Sequence, residues 1–228
     1  MMHKNGLQVA IDGPASAGKS TVAKLVAKQF NYIYCDTGAM YRAVTLKTIR
    51  SGISLDNEKE ISAIVRNSKI TFAPDENGQK VFIDGDEITQ DIRSENVTNS
   101  VSAVAAIADV RKQLSAQQQE IAKDGGIVMD GRDIGTAVLP RAEVKIFLIA
   151  SVEERAKRRY KENIQKGINT PLEELQLEIE ARDYKDSHRK ISPLTKADDA
   201  TEIDTTAISI EKVVSEIAKV INLKLNLN

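Results

Sequence analysis

Two rhythms alternate along the chain. Leu7 to Ile11 is a short apolar run closed by Asp12-Gly13-Pro14, which predicts a strand and a turn. From Lys19 to Phe30, the apolar residues Val22, Leu25, Val26 and Phe30 recur at helical spacing. Tyr32 to Cys35 predicts a second strand, followed by Asp36-Thr37-Gly38 and a helical stretch up to Gly52. The character then changes. Ile70–Ala73, Val81–Asp84 and Glu87-Ile88 are short β-like runs separated by Asn77-Gly78 and Asp84-Gly85, both hairpin dipeptides. They predict a small antiparallel meander inserted into an α/β chain. Ser94 to Lys123 reads as one or two helices, stopped by Gly125-Gly126.

The alternation then resumes. Ile127-Val128-Met129 predicts a strand ending at Asp130. Val144 to Ala150 predicts another, continuous in the way of a strand buried on both faces. An Arg-rich helix is expected to about Lys166, and Thr170-Pro171-Leu172-Glu173 is a capping box that opens a further helix. Ile203-Asp204-Thr205 gives a last short strand, Ile208 to Leu223 a closing helix, and Asn222 to Asn228 a frayed end. Strands alternating with helices define an α/β class with a parallel sheet covered on both faces. Two excursions are expected, over residues 37–100 and 152–190.

Composition narrows the function classes. A chain of 228 residues accommodates one α/β domain with insertions, or two small domains. Its 32 Lys+Arg and 33 Asp+Glu leave a net charge of -1, so there is no basic surplus for holding nucleic acid or an anionic membrane. The single cysteine, Cys35, fits a reducing cytosol and reads as a small core residue. The longest strongly apolar stretch, Ile146 to Ala150, is far short of a membrane span, and no signal peptide is expected. With only His3 and His188, chemistry would run through Lys, Arg and Asp.

Gly13-Pro14-Ala15-Ser16-Ala17-Gly18-Lys19-Ser20 matches G-x-x-x-x-G-K-[ST] at every fixed position. Glycines let consecutive N–H groups curl around phosphate oxygens, and the following helix N-terminus adds positive potential. Lys19 would place its charge on the β/γ-phosphates, and Ser20 would offer its hydroxyl to Mg²⁺. The acidic partner expected at another strand end is Asp130, in the dense Asp130-Gly131-Arg132-Asp133 turn.

Three P-loop classes compete. A GTP switch has fragments in Asp75-Glu76-Asn77-Gly78 and Thr195-Lys196-Ala197-Asp198, but the first is a hairpin tip and the second follows no strand. A nucleic-acid motor is disfavoured by the absence of a basic surplus, by only nine aromatic residues to stack bases, and by the short chain. A small-molecule kinase gains from Arg158 and Arg159 on one helix and from Arg182, Asp186 and Arg189 on one face of another. Arg155 reads as part of the solvated face from Glu153 to Lys161.

Four blocks in order resemble the bacterial cytidylate kinases: Gly13 through Ser20 to Thr21, Asp36-Thr37-Gly38-Ala39-Met40-Tyr41-Arg42, Asp130 to Thr136, and Arg182-Asp183 through Asp186 and Arg189 to Pro193-Leu194. The resemblance implies a nucleoside monophosphate kinase fold. That fold is a P-loop NTPase-type core with a five-stranded parallel sheet (residues 1–36 and 101–228), an acceptor-binding region at 37–100 with an inserted small antiparallel sheet at about 70–88, and a helical lid at about 152–190. It implies transfer of the γ-phosphoryl of ATP to CMP or dCMP with Mg²⁺. A monomer in the cytoplasm is expected. ATP would lie on Gly13 to Thr21. Arg42 would hold the CMP phosphate beside Thr37 and Tyr41, with Arg132 near. Ser102, Arg111, Asp133 and Arg189 would meet cytosine, and Arg182 and Asp186 the sugar. Lys19, Arg132, Arg158, Arg159 and Arg182 would act on the transferring group, and Ser20 and Asp130 on the metal.

Overall fold

A computed structural model describes residues 5–75, 78–165 and 167–227. Asn77 and Glu76 of the expected hairpin tip, Lys166 and Asn228 lie outside the described residues. The chain divides into two compact units. One comprises Met1–Cys35 and Ala122–Asn228, and the other Asp36–Ile121.

The first unit is built on a five-stranded sheet. Its strands are β1 (Gln8–Asp12), β2 (Ile33–Asp36), β6 (Ile127–Gly131), β7 (Val144–Ile149) and β8 (Thr201–Asp204), in the order β2-β6-β1-β7-β8. β1 pairs in parallel with β6 and with β7, and β7 with β8. Every residue of β1 and β6 is buried, which explains why these strands read as continuous rather than alternating runs. Helix α1 (Lys19–Phe30) and the closing helix α8 (Ile210–Asn226) cover the sheet, with Val22, Val26, Val213, Ile217 and Ile221 in one core with Leu7, Ile11, Ile146 and Leu148. α8 runs to Asn226, past the expected fray, because Ile221 is sealed in that core while Ser209 caps the start through Lys212 N. Helices α6 (Val152–Gln165) and α7 (Leu172–His188) pack through Ala156, Leu175 and Ile179. α7 starts where expected, but its N-cap is Pro171, which brings no side-chain hydrogen bond. Thr170 therefore does not form the capping box.

The second unit holds α2 (Thr37–Arg50), α3 (Glu58–Asn67), α4 (Glu95–Ala106) and α5 (Ala108–Ala122, its last residue beyond the unit), and the antiparallel sheet β3 (Ile70–Asp75), β4 (Gly78–Ile83), β5 (Asp86–Glu87). α2 is buried on two sides. Met40, Tyr41 and Val44 meet Ile61, Val65, Val104, Val110 and Leu114. Ala39, Ala43 and Leu46 meet Val81, Ile83 and Ile88 of the meander. The unit therefore runs past residue 100 to Ile121, because α4 and α5 supply the wall against which α2 and α3 close.

Candidate functional site

The phosphate-loop motif sits between β1 and α1. Gly13 has φ 148°, and a Cβ there would fall 2.1 Å from the Leu148 carbonyl oxygen, so only glycine fits. The loop closes at Gly18, φ 84°, the N-cap of α1, leaving the first N–H groups of the helix for an anion. Lys19 is buried and its Nζ donates to the Pro14 carbonyl at 2.5 Å. Ser20 Oγ donates to Asp130 Oδ2 at 2.8 Å, and Tyr34 OH to Asp130 Oδ1 at 2.9 Å. Asp130 reaches the loop because β6 lies beside β1, with Ile11 and Asp130 in register.

Cations crowd around Lys19. Burial holds its ammonium well below the usual lysine range, the neighbouring charges of Arg132 and Arg182 lower it further, and Asp130 and Asp12 oppose the fall. A buried ammonium within reach of two half-buried guanidinium charges favours an anion beside it, which is what a site for a polyphosphate provides. Arg132 Nε pairs with Asp186 Oδ2 at 2.9 Å. Burial raises the Asp186 carboxyl, but Arg132, Arg182 and Arg189 outweigh it and the net direction is down. Arg189 Nη2 lies 3.4 Å from Asp133 Oδ1, with both side chains almost fully buried. Arg158 donates to Glu154 at 3.0 Å, to Thr205 Oγ1 at 3.0 Å and to the Thr205 carbonyl at 2.6 Å. Arg159 is half-buried on the same helix.

Arg155 corrects the sequence reading. It is 4% exposed and donates to the carbonyls of Ala150 (2.9 Å) and Ala15 (3.0 Å) and to Asp183 Oδ2 (2.5 Å). A signal for it existed. Val152, Arg155, Ala156, Arg159, Tyr160 and Asn163 recur at helical spacing and form the inward stripe of α6.

The remaining expected residues belong to the second unit. Asp36 caps α2 by accepting from Ala39 N at 2.9 Å, and its other oxygen pairs with Arg42 Nη2 at 2.8 Å. Arg42 Nε is buried with no hydrogen-bond partner. Thr37, the first residue of α2, is buried. The Arg111 guanidinium lies over the Tyr41 ring, 5.3 Å from its centroid, and donates to the Ala105 carbonyl at 3.1 Å. Ser102 is half-buried on α4.

Sequence reasoning passed over Asp12. Its carboxylate accepts from Ile134 N at 2.8 Å and Gly135 N at 2.7 Å, where the chain leaves the Asp130–Asp133 turn into a single π-helical turn, Ile134–Val138. Burial pushes the Asp12 carboxyl up to about 6 from 3.8; the two N–H bonds oppose this, the Asp133 charge adds to it and Lys19 subtracts. The folded state therefore holds this proton more tightly than the unfolded chain, and Asp12 contributes more stability below pH 4 than above pH 6. The unfolding free energy of wild type minus that of Asp12→Asn should fall by up to about 3 kcal/mol as pH rises from 4 to 7. Denaturant titrations across that window check it, and a flat or rising difference would contradict the placement.

A five-stranded parallel sheet, a glycine-rich loop opening a helix, and an acidic strand end on the loop's serine together define a P-loop nucleoside-triphosphate-binding protein. The cytidylate kinase family profile matches residues 9–223. The chain is 65% identical to a cytidylate kinase of Pediococcus pentosaceus, covering 95% of this chain and 96% of that one. It is 55% identical to one from a Geobacillus strain, covering 96% and 98%. In fold it is similar to a solved, uncharacterised protein from Eubacterium ventriosum (TM-score 0.53, 12% identity, 95% and 98% covered). The chain belongs to the cytidylate kinase family.

Proposed function

We propose that the chain transfers the γ-phosphoryl group of ATP to CMP or dCMP, giving ADP and CDP or dCDP. The observation that carries this is the phosphate loop with Lys19 buried in it and Ser20 bonded to Asp130, in a member of the cytidylate kinase family. The acceptor is a phosphate monoester that is ionised near neutral pH, so no strong general base is needed. Catalysis then consists of aligning two anions in line and screening their repulsion.

ATP lies on Gly13 to Thr21 in this reading. Lys19, Arg132, Arg158, Arg159 and Arg182 screen the transferring group. Arg42, whose buried Nε has a donor to spare, takes the CMP phosphate with Thr37 and Tyr41. Ser102, Arg111, Asp133 and Arg189 meet cytosine, and Arg182 and Asp186 the sugar. Ser20 Oγ and Asp130 Oδ2, 2.8 Å apart, are the hard oxygens that suit a Mg²⁺ held mainly by phosphates and water. When bound, Mg²⁺ neutralises charge on the phosphate oxygens. The reaction belongs in the cytoplasm, where the buried thiol of Cys35 stays reduced.

The test is ADP release with ATP and a panel of CMP, dCMP, UMP, AMP and GMP. CMP or dCMP should give the highest kcat/KM. Preference for a purine monophosphate would reject the reading.

A further inference from the structure

The phosphate loop is gripped from outside as well as shaped by its glycines. Ala15, its third residue, has both backbone groups taken. Its N–H donates to Asp183 Oδ1 at 3.3 Å, and its carbonyl accepts from Arg155 Nη1 at 3.0 Å. Arg155 and Asp183 also pair with each other at 2.5 Å, and Arg155 Nε is tied to the Ala150 carbonyl just beyond β7. One guanidinium thus joins the end of a core strand, the loop and helix α7.

Peptide planarity turns this grip into an orientation. A carbonyl and the next residue's N–H point in opposite directions across one trans peptide. With the Ala15 carbonyl drawn to Arg155, the Ser16 N–H is aimed away from that guanidinium, as an N–H that cradles phosphate must be. Ser16 itself has φ 59°, a left-handed conformation that is unfavourable for a residue with a side chain. Surroundings must hold it, and the Ala15 clamp is adjacent. Farther along, Thr205 Oγ1 donates to the Ala17 carbonyl at 3.5 Å. Asp183 is also the immediate neighbour of Arg182 and one turn from Asp186, so the same clamp sets the register of α7 against the loop.

We propose that Arg155 and Asp183 are a positioning pair that pre-forms the phosphate loop for ATP and locks α7, with Arg182 and Asp186, onto it. The inference rests on the reading of the loop as the ATP site, and not on the identity of the acceptor. It is therefore tested by calorimetric binding of a non-hydrolysable ATP analogue with no acceptor present, well below each variant's melting temperature.

Asp183→Asn and Arg155→Gln should each raise the Kd by about tenfold or more, since each breaks a charge-assisted network. The double variant should be no worse than either single, because both act through one clamp. Arg155→Lys, which keeps the charge but cannot fork to three partners, should fall between. A Kd unchanged while only Tm drops, or penalties that multiply in the double variant, would overturn the proposal. Hydrogen exchange on the wild type needs no variant to fold. Without nucleotide, the Ala15 amide should exchange slowly and the Ser16 amide fast, with Ser16 slowed by the analogue. An Ala15 amide as fast as Ser16 would equally overturn it.

Discussion

Lys19→Ala is expected to lower kcat by about 10²-fold or more and to leave the protein folded. The Lys19 ammonium is buried beside Arg132 and Arg182, and its pKa is held down by that burial and by those charges. Removing it relieves the repulsion from Arg132 and Arg182 at the cost of its attraction to Asp130 and Asp12 and of the Pro14 carbonyl's donor, so the folded state should tolerate the change. The transition state does not, because the β/γ-phosphates lose the charge placed where negative charge develops. Steady-state turnover beside a melting curve checks both halves. Turnover like that of wild type in a folded Lys19→Ala would reject the role of the loop.

Asp133→Asn should narrow the CMP/UMP ratio of kcat/KM by about tenfold or more, chiefly by weakening CMP. Asp133 and Arg189 are buried side by side, 3.4 Å apart, which presents an acceptor next to a donor. Cytosine offers an exocyclic amine beside N3 and the 2-carbonyl, whereas uracil has a 4-carbonyl in place of the amine. A carboxylate only accepts, so it pairs with the amine and is left facing an oxygen in uracil; an asparagine amide can donate to that oxygen. Asp133 also stands next to Ile134, whose N–H is held by Asp12, so a purely bracing role is the alternative. Bracing would cost both substrates equally and leave the ratio unchanged.

Much of the fold was legible because its elements carry their own period. α1 occupies Lys19–Phe30, as the spacing of Val22, Leu25 and Val26 predicts, and the meander forms β3 to β5 where short runs met turn dipeptides. What was not legible depends on distant partners. The stretch from Ser94 to Lys123 reads as one or two helices, but nothing in it shows that Val101, Val104 and Leu114 close on α2 and α3 and carry the second unit to Ile121. Within the site, Lys19, Ser20 and Asp130 were readable, since motif and strand end specify them and Ser20 meets Asp130. Arg155 was misread as solvated, because charges on a helix usually are; its partners at Ala15 and Asp183 lie far along the chain. Asp12 looked like a strand terminator for the same reason. Its acceptor role requires the Ile134 and Gly135 amides, brought to it only by the pairing of β1 with β6.

Direct transfer of the γ-phosphoryl from the nucleotide on the Gly13–Ser20 loop to CMP can be followed in a single-turnover reaction with γ-phosphate-labelled ATP, excess enzyme and CMP, quenched and resolved by chromatography. The label should leave ATP and arrive in CDP, with little in inorganic phosphate, and Lys19→Ala should suppress this transfer. Label that collects in inorganic phosphate, or remains in ATP at saturating CMP with wild-type protein, would rule out direct transfer.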